Sequence, residues 1–289
     1  MITISNELLT IQLAEAGAEL QHIVRNDSGL EYLWSGDPAV WGKKSPVLFP
    51  IVGGLKKNTY TYNGHEYTLG RHGFAREQVF TVEEHTSTQV TFLLKDSDAT
   101  LSVYPFRFVF RVRYVLEGER LQVSYLVENT DSKELFFSVG GHPAFKVPLV
   151  EGTGYEDYYL EFNKTETTGR YPLSPEGQIE LTPVPLLQQT QELPLKKSLF
   201  LEDALVFKAL ASDAISIRSH KTPHGLTVSF NGFPYMGIWA AKNADFVCIE
   251  PWCGIADNVA ATGELNEKEG INQLVPGEKF ERTWTASFF

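Results

Sequence analysis

Cysteine is nearly absent: only two of the 289 residues carry a thiol, and both, Cys248 and Cys253, fall in one segment. The disulfide framework that staples small secreted domains is therefore missing. Nor does any apolar run approach the roughly 20 residues that a membrane-spanning helix needs. The residues after Met1, ITISNELLTIQLAEAG, have neither the basic start nor the unbroken apolar stretch of a secretory signal. These absences predict a cytoplasmic protein with no membrane partner. Positive charge is scarce as well, with 25 Lys and Arg against 36 Asp and Glu and a net charge of -11. Such a field repels phosphate backbones, which excludes broad attraction to nucleic acid but leaves room for a local basic patch. The Gly-rich spacings of P-loop and Rossmann proteins and the G-x-S-x-G nucleophile turn are missing, so nucleotide-binding and serine-hydrolase chemistry are not indicated. No long amphipathic helical pattern, internal repeat, low-complexity tract or Gly/Ser/Pro-rich linker interrupts the chain, which reads as one domain over residues 1–289.

What fills the sequence is alternation with a period of two, in a chain that is 43% hydrophobic and 12% aromatic. In FRFVFRVRYVLE (106–117), Phe106, Phe108, Phe110, Val112, Tyr114 and Leu116 share one face, and arginines occupy much of the other. This is the pattern of a half-buried antiparallel strand. Glu117-Gly118-Glu119 makes a turn, and RLQVSYLVEN returns as the second arm of a hairpin. Short strands are expected at 2–5, 8–13, 19–25 and 31–34, and later at ISIRSH, LTVSF, MGIWAA and FVCIE, all separated by Gly-, Asn- and Pro-containing turns. PVPLLQQTQELPL (183–195) reads as an irregular surface excursion. Many short strands at regular spacing predict an all-β fold, a large antiparallel β-sandwich or a barrel.

Four segments hold candidates for chemistry. In LGRHGFAR (69–76), glycines flank Arg71-His72, a loop that can turn sharply and expose an imidazole; taken alone, it reads better as a surface histidine in a strand connection. In FFSVGGHPAF (136–145), a strand runs into Gly140-Gly141 and presents His142 before a proline that holds it extended. An imidazole there can exchange a proton near neutral pH, or can serve a loop carbonyl. LEDALVF (201–207) puts Asp203 before an apolar strand, where a solvated carboxylate is the plain alternative. In FVCIEPWCGIADN (246–258), Phe246, Cys248 and Glu250 share one strand face, so Glu250 sits in apolar company that raises a carboxyl pKa and makes a better base. The spacing of Cys248, Glu250 and Cys253 fits no structural zinc pattern, so no metal is expected and both cysteines are read as small apolar residues.

These segments, in this order, resemble the aldose 1-epimerase (mutarotase) superfamily, in its branch of LacX-like and hexose-phosphate-mutarotase-like proteins. The resemblance is carried by LFPIVGGLKKNTYTYNGHEYTLGRHGFAR (48–76), FSVGGHPAF (137–145) and GIWAAKNADFVCIEPWCGIADN (237–258), and covers essentially the whole chain. It implies a galactose mutarotase-like β-supersandwich, a small-molecule sugar substrate, no cofactor, and a monomer or homodimer. It further implies Glu250 as general base, His142 as general acid, and His72 and Asp203 as partners of sugar hydroxyls. Such a pair suits a hemiacetal, which changes anomer when one group takes the O1 proton and another protonates ring O5. One position departs from the family pattern: an arginine often follows the glycine of the FPIVG-like stretch, whereas Gly54 follows Gly53 here. Arg71 or Arg76 is expected to stand in for it. With Lys56 and Lys57 they form a basic cluster, which reads as scattered solvated charge or, more sharply, as a means to capture a sugar phosphate. Trp239 or Trp252 is expected as an aromatic platform or as core. A non-catalytic carbohydrate binder and a glycosidase using Glu250 with Asp203 remain as alternatives.

Overall fold

The computed structural model describes all 289 residues. Its twenty-two strands are joined by turns, short 3-10 segments and one α-helix, Asp98–Val103, which Ser97 and Thr100 close with a capping box. No helix is long and apolar enough to cross a membrane.

The alternation seen in the sequence builds the largest sheet. Strand Phe108–Glu117 buries every second residue, from Phe108 to Leu116, and pairs in register with Arg120–Asn129. Gly118, at φ 58°, makes the turn between them. On the outer face Arg111 pairs with Glu83 and Arg113 with Glu281. Such exposed ion pairs contribute about 0 to 1 kcal/mol each, whereas each fully buried Phe or Leu contributes about 1.5 to 3. The inner face therefore dictates the register. Nine antiparallel strands are ordered Val184–Pro194, Tyr158–Arg170, Ala214–Ser219, Leu226–Ser229, Lys279–Phe288, Arg120–Asn129, Phe108–Glu117, Gln89–Lys95 and Thr81–His85.

A second sheet packs against it. Its order is Leu205–Phe207, Tyr235–Trp239, Phe246–Cys253, Val139–Gly141 and Val47–Leu48, with Ala144–Lys146 also paired to Phe246–Cys253. Phe49 stacks on Phe110 of the large sheet at 4.4 Å and 16°, within one continuous core of 70 buried residues. An N-terminal meander, Ile2–Ser5, Leu9–Leu13 and Leu20–Arg25, completes the all-β sandwich.

Three local expectations are corrected. Residues 183–195 are not irregular: Val184–Pro194 is an edge strand on Tyr158–Arg170, anchored by buried Leu187 and Leu193. Its three register shifts break the alternation that would have marked it. Residues 31–34 are not a strand but two isolated bridges. The Glu31 carboxylate accepts from the backbone N–H of Ile23 and Leu33, replacing ladder partners. Strand Phe246–Cys253 does not end at Glu250 but runs on through Pro251 and Trp252 to Cys253, buried on both faces.

Candidate active site

Strand Phe246–Cys253 lies in the middle of the smaller sheet, and Glu250 projects from it into a cavity of about 780 Å³. The carboxyl is 2% exposed, and its Oε2 has no hydrogen-bond partner. Burial pushes its pKa well above the usual carboxylate range. The Asp203 charge raises it further, while Trp252 and Arg71 oppose the shift.

His142 reaches Glu250 because of the two glycines before it. Strand Val139–Gly141 lies so close to the large sheet that a Cβ on Gly141 would stand 2.6 Å from the Tyr125 hydroxyl and 3.1 Å from Trp284 Nε1. Gly140 crosses Trp252 of the neighbouring strand just as closely. The chain then delivers His142 Nε2 to 3.4 Å from Glu250 Oε2. The imidazole pKa is pushed down to about 3, chiefly by burial, with the Arg76 and Arg71 charges adding to the effect. Carboxyl and imidazole are thus displaced in opposite directions. Both shifts favour the neutral forms, carboxyl and imidazole, which together hold the single proton that an ion pair would hold.

His72 occupies the adjoining wall, edge-on to His142 at 5.7 Å and 79°. It is not a surface histidine; its backbone sits at φ 68° and the residue is buried. Its Nδ1 accepts from the Gly53 N–H at 3.1 Å, which leaves the proton on Nε2. Burial, reinforced by His142, Arg76 and Arg71, lowers its pKa well below normal, so His72 is a fixed neutral donor.

Asp203 lines the mouth of the cavity at φ 94°, a backbone region that costs a non-glycine residue on the order of 1–3 kcal/mol. Its Oδ2 lies 4.0 Å from Arg71 Nη1. Arg71 in turn covers Gly54: its Nε is 4.0 Å from where a Cβ at that position would be. On the other side Gly177 makes room, since a Cβ there would meet Arg71 Nη2 at 2.3 Å. The space above the unexpected glycine is therefore filled by a guanidinium from another loop. Arg76 lines the same cavity, with a buried Nε that makes no hydrogen bond.

The four-cation cluster does not hold together. Lys56 turns away and donates from Nζ to the Val259 carbonyl, and Lys57 is exposed outside the cavity. Residues Lys56–Asn58 form a tight 3-10 turn that directs both lysines elsewhere. Trp239 and Trp252 both line the cavity. So does Trp41, which sequence reasoning missed. Trp41 stacks on His142 at 5.0 Å and 26°, Trp239 meets the same ring edge-on at 5.5 Å, and Trp34 Nε1 anchors the loop by donating to the Trp41 carbonyl. Its only sequence signal is a tryptophan between turn residues in DPAVWGKK.

The sandwich, with a buried carboxyl–imidazole pair opening into a pocket of this size, is of the galactose mutarotase-like fold class. A family model described as aldose 1-epimerase matches residues 1–282, and the chain belongs to that family. It is 36% identical over 292 residues to the plasmid-borne protein LacX of Lactococcus lactis subsp. lactis, covering 98% of this chain and 97% of LacX. Among solved structures, it is similar to a galactose mutarotase related enzyme from Lactobacillus acidophilus, with a TM-score of 0.95 and 38% identity over 100% of this chain and 97% of that one. A galactose mutarotase-like protein from Lactobacillus casei gives a TM-score of 0.92 and 30% identity, with both chains covered fully.

Proposed function

We propose that the protein is a cytoplasmic aldose 1-epimerase that interconverts the α and β anomers of a hexose or hexose phosphate. The observation that carries this reading is the Glu250–His142 pair, 3.4 Å apart and buried, with the two pKa values driven in opposite directions. Proton transfer from the Glu250 carboxyl to His142 gives carboxylate and imidazolium without any change in total charge, so the active form is a tautomer of the resting one. A sugar entering between the two groups supplies the hydrogen bonds that Glu250 Oε2 lacks, which favours the charged tautomer.

Glu250 then takes the proton from O1 as His142 donates one to ring O5, and the C1–O5 bond breaks to leave an open-chain aldehyde. Rotation about C1–C2 presents the other carbonyl face. Reclosure returns the O5 proton to His142 and the Glu250 proton to O1. Every proton is accounted for by these two side chains, and no electron is gained or lost. His72 donates from Nε2 to a ring hydroxyl, Asp203 accepts from another, and Arg71 holds Asp203 at the mouth. Arg76 and Arg71 supply positive charge for a phosphate substituent. Anomer-exchange NMR on free and 6-phosphorylated hexoses tests the reading: exchange above the spontaneous rate is expected, and saturable sugar binding without exchange would make the protein a binder instead.

A further inference from the structure

Tertiary structure gathers three donors where His142 and Glu250 line the cavity and Cys248 lies fully buried behind them. A ring nitrogen of His142, the Cys248 thiol and a Glu250 carboxylate oxygen all lie within 4.8 Å of one another, and all three residues are buried. Cys248 has no part in the proton transfers above. It shares a strand face with Glu250, two residues away, and His142 is brought to it because Ala144 pairs directly with Cys248. The separation of 3.4 Å between His142 Nε2 and Glu250 Oε2 is informative. Two donors bonded to one tetrahedral zinc at about 2.0–2.1 Å stand about 3.3 Å apart. The acid–base pair is therefore already spaced as two zinc ligands, and Glu250 Oε2 is a buried acceptor with no partner. Imidazole, thiol and carboxylate together suit Zn²⁺ rather than the all-oxygen preference of Mg²⁺ or Ca²⁺.

We propose that His142, Cys248 and Glu250 form a Zn²⁺ site whose fourth position opens to the sugar pocket, and that the ion inhibits by occupying base and acid together. Binding releases the thiol and carboxyl protons to solvent. A thiolate, a carboxylate and a neutral imidazole neutralise the dication, so the filled site adds no net charge to its buried surroundings. Arg71 and Arg76 repel an approaching cation and Asp203 attracts it, which favours an ion held by direct ligation over one held by the general field. The binding stands on these three side chains alone; only its inhibitory consequence rests on the function proposed above.

The test uses full-length, chelator-stripped protein and Co²⁺ as a spectroscopic probe. A thiolate-to-cobalt charge-transfer band with the intense visible absorption of a tetrahedral ion is expected, displaced by Zn²⁺ and absent in Cys248→Ala. Zn²⁺ affinity, read by competition with a chromophoric chelator, should fall by more than about 100-fold in that variant, beyond the roughly 10- to 100-fold typical of losing a group that only hydrogen-bonds a ligand. Cys248→Ala should retain metal-free anomer exchange and lose its Zn²⁺ inhibition. Cys248→Ser, closer in size, supplies the folded control if the alanine variant unfolds, and it too should lack the charge-transfer band. Absence of the band in the native protein, or near-native Zn²⁺ affinity in either folded variant, would overturn the proposal. A native band in a protein that exchanges no anomer would uphold the site while removing the proposed function.

Discussion

Glu250→Gln separates catalysis from stability, because the same burial that suits Glu250 to its role makes it costly to the fold. The substitution keeps the size and planarity of the group but removes the base, so anomer exchange should fall by about 10²- to 10⁴-fold, the range for loss of a positioned general acid or base. Stability should move the other way. The folded-state pKa of Glu250 is raised above its unfolded value, chiefly by burial. Its contribution is thus fully present below the unfolded pKa and is lost as pH rises toward the folded one, because the unfolded chain ionises first. Each pKa unit of that gap costs about 1.4 kcal/mol once the unfolded carboxyl is charged. Glutamine has no such cost. Denaturant melts should show the variant more stable than the native protein near pH 7.5. The difference should shrink toward zero near pH 4, where the carboxyl is protonated in both states. Near-native turnover would refute Glu250 as the base. A variant whose stability relative to the native protein falls as pH rises from about 4 to 7.5 would refute the neutral resting pair, since it would mean that an ionised Glu250 is stabilised by a charged His142.

His142→Asn should lower the exchange rate constant by a similar factor with little change in sugar affinity, whereas His72→Asn, by removing a hydroxyl donor, should change both; saturation kinetics distinguish the two. In a hexose 6-phosphate, C6 hangs from C5, which is bonded to the ring oxygen that His142 is proposed to protonate, and both Arg76 and Arg71 line the cavity. A 6-phosphate should therefore be processed more efficiently than the free sugar, by about one to two decades per charge-assisted contact, with Arg76→Ala and Arg71→Ala each reducing the preference and added salt weakening it. Equal efficiency for both forms across several hexoses would remove phosphate recognition. Gly141→Ala places a methyl against the Tyr125 hydroxyl and the Trp284 indole in the core, and should destabilise by about 1–3 kcal/mol in denaturant melts; an unchanged midpoint would mean that the two sheets separate without cost.

Strand content and the hairpin around Gly118 were legible in the sequence, because side-chain alternation and turn chemistry are local properties of a chain, whereas Glu250, His142, His72 and Asp203 stood out as a set only through resemblance to a family. The edge strand Val184–Pro194 was not legible, since its register shifts erase the alternation and its order comes from the neighbouring strand. The pocket's character lay still further from view. Sequence placed Arg71 in a loop and Gly54 in a different segment, and only packing laid the guanidinium over the glycine. It offered four cations, of which the fold turned two away, and it gave no reason to join Trp41 to His142. Even the proposed acid–base pair exists only across strands: Glu250 and His142 acquire opposed pKa shifts because both are withdrawn from water into one cavity. Desolvation depends on everything that surrounds a group, and that surrounding is assembled from segments far apart in the chain.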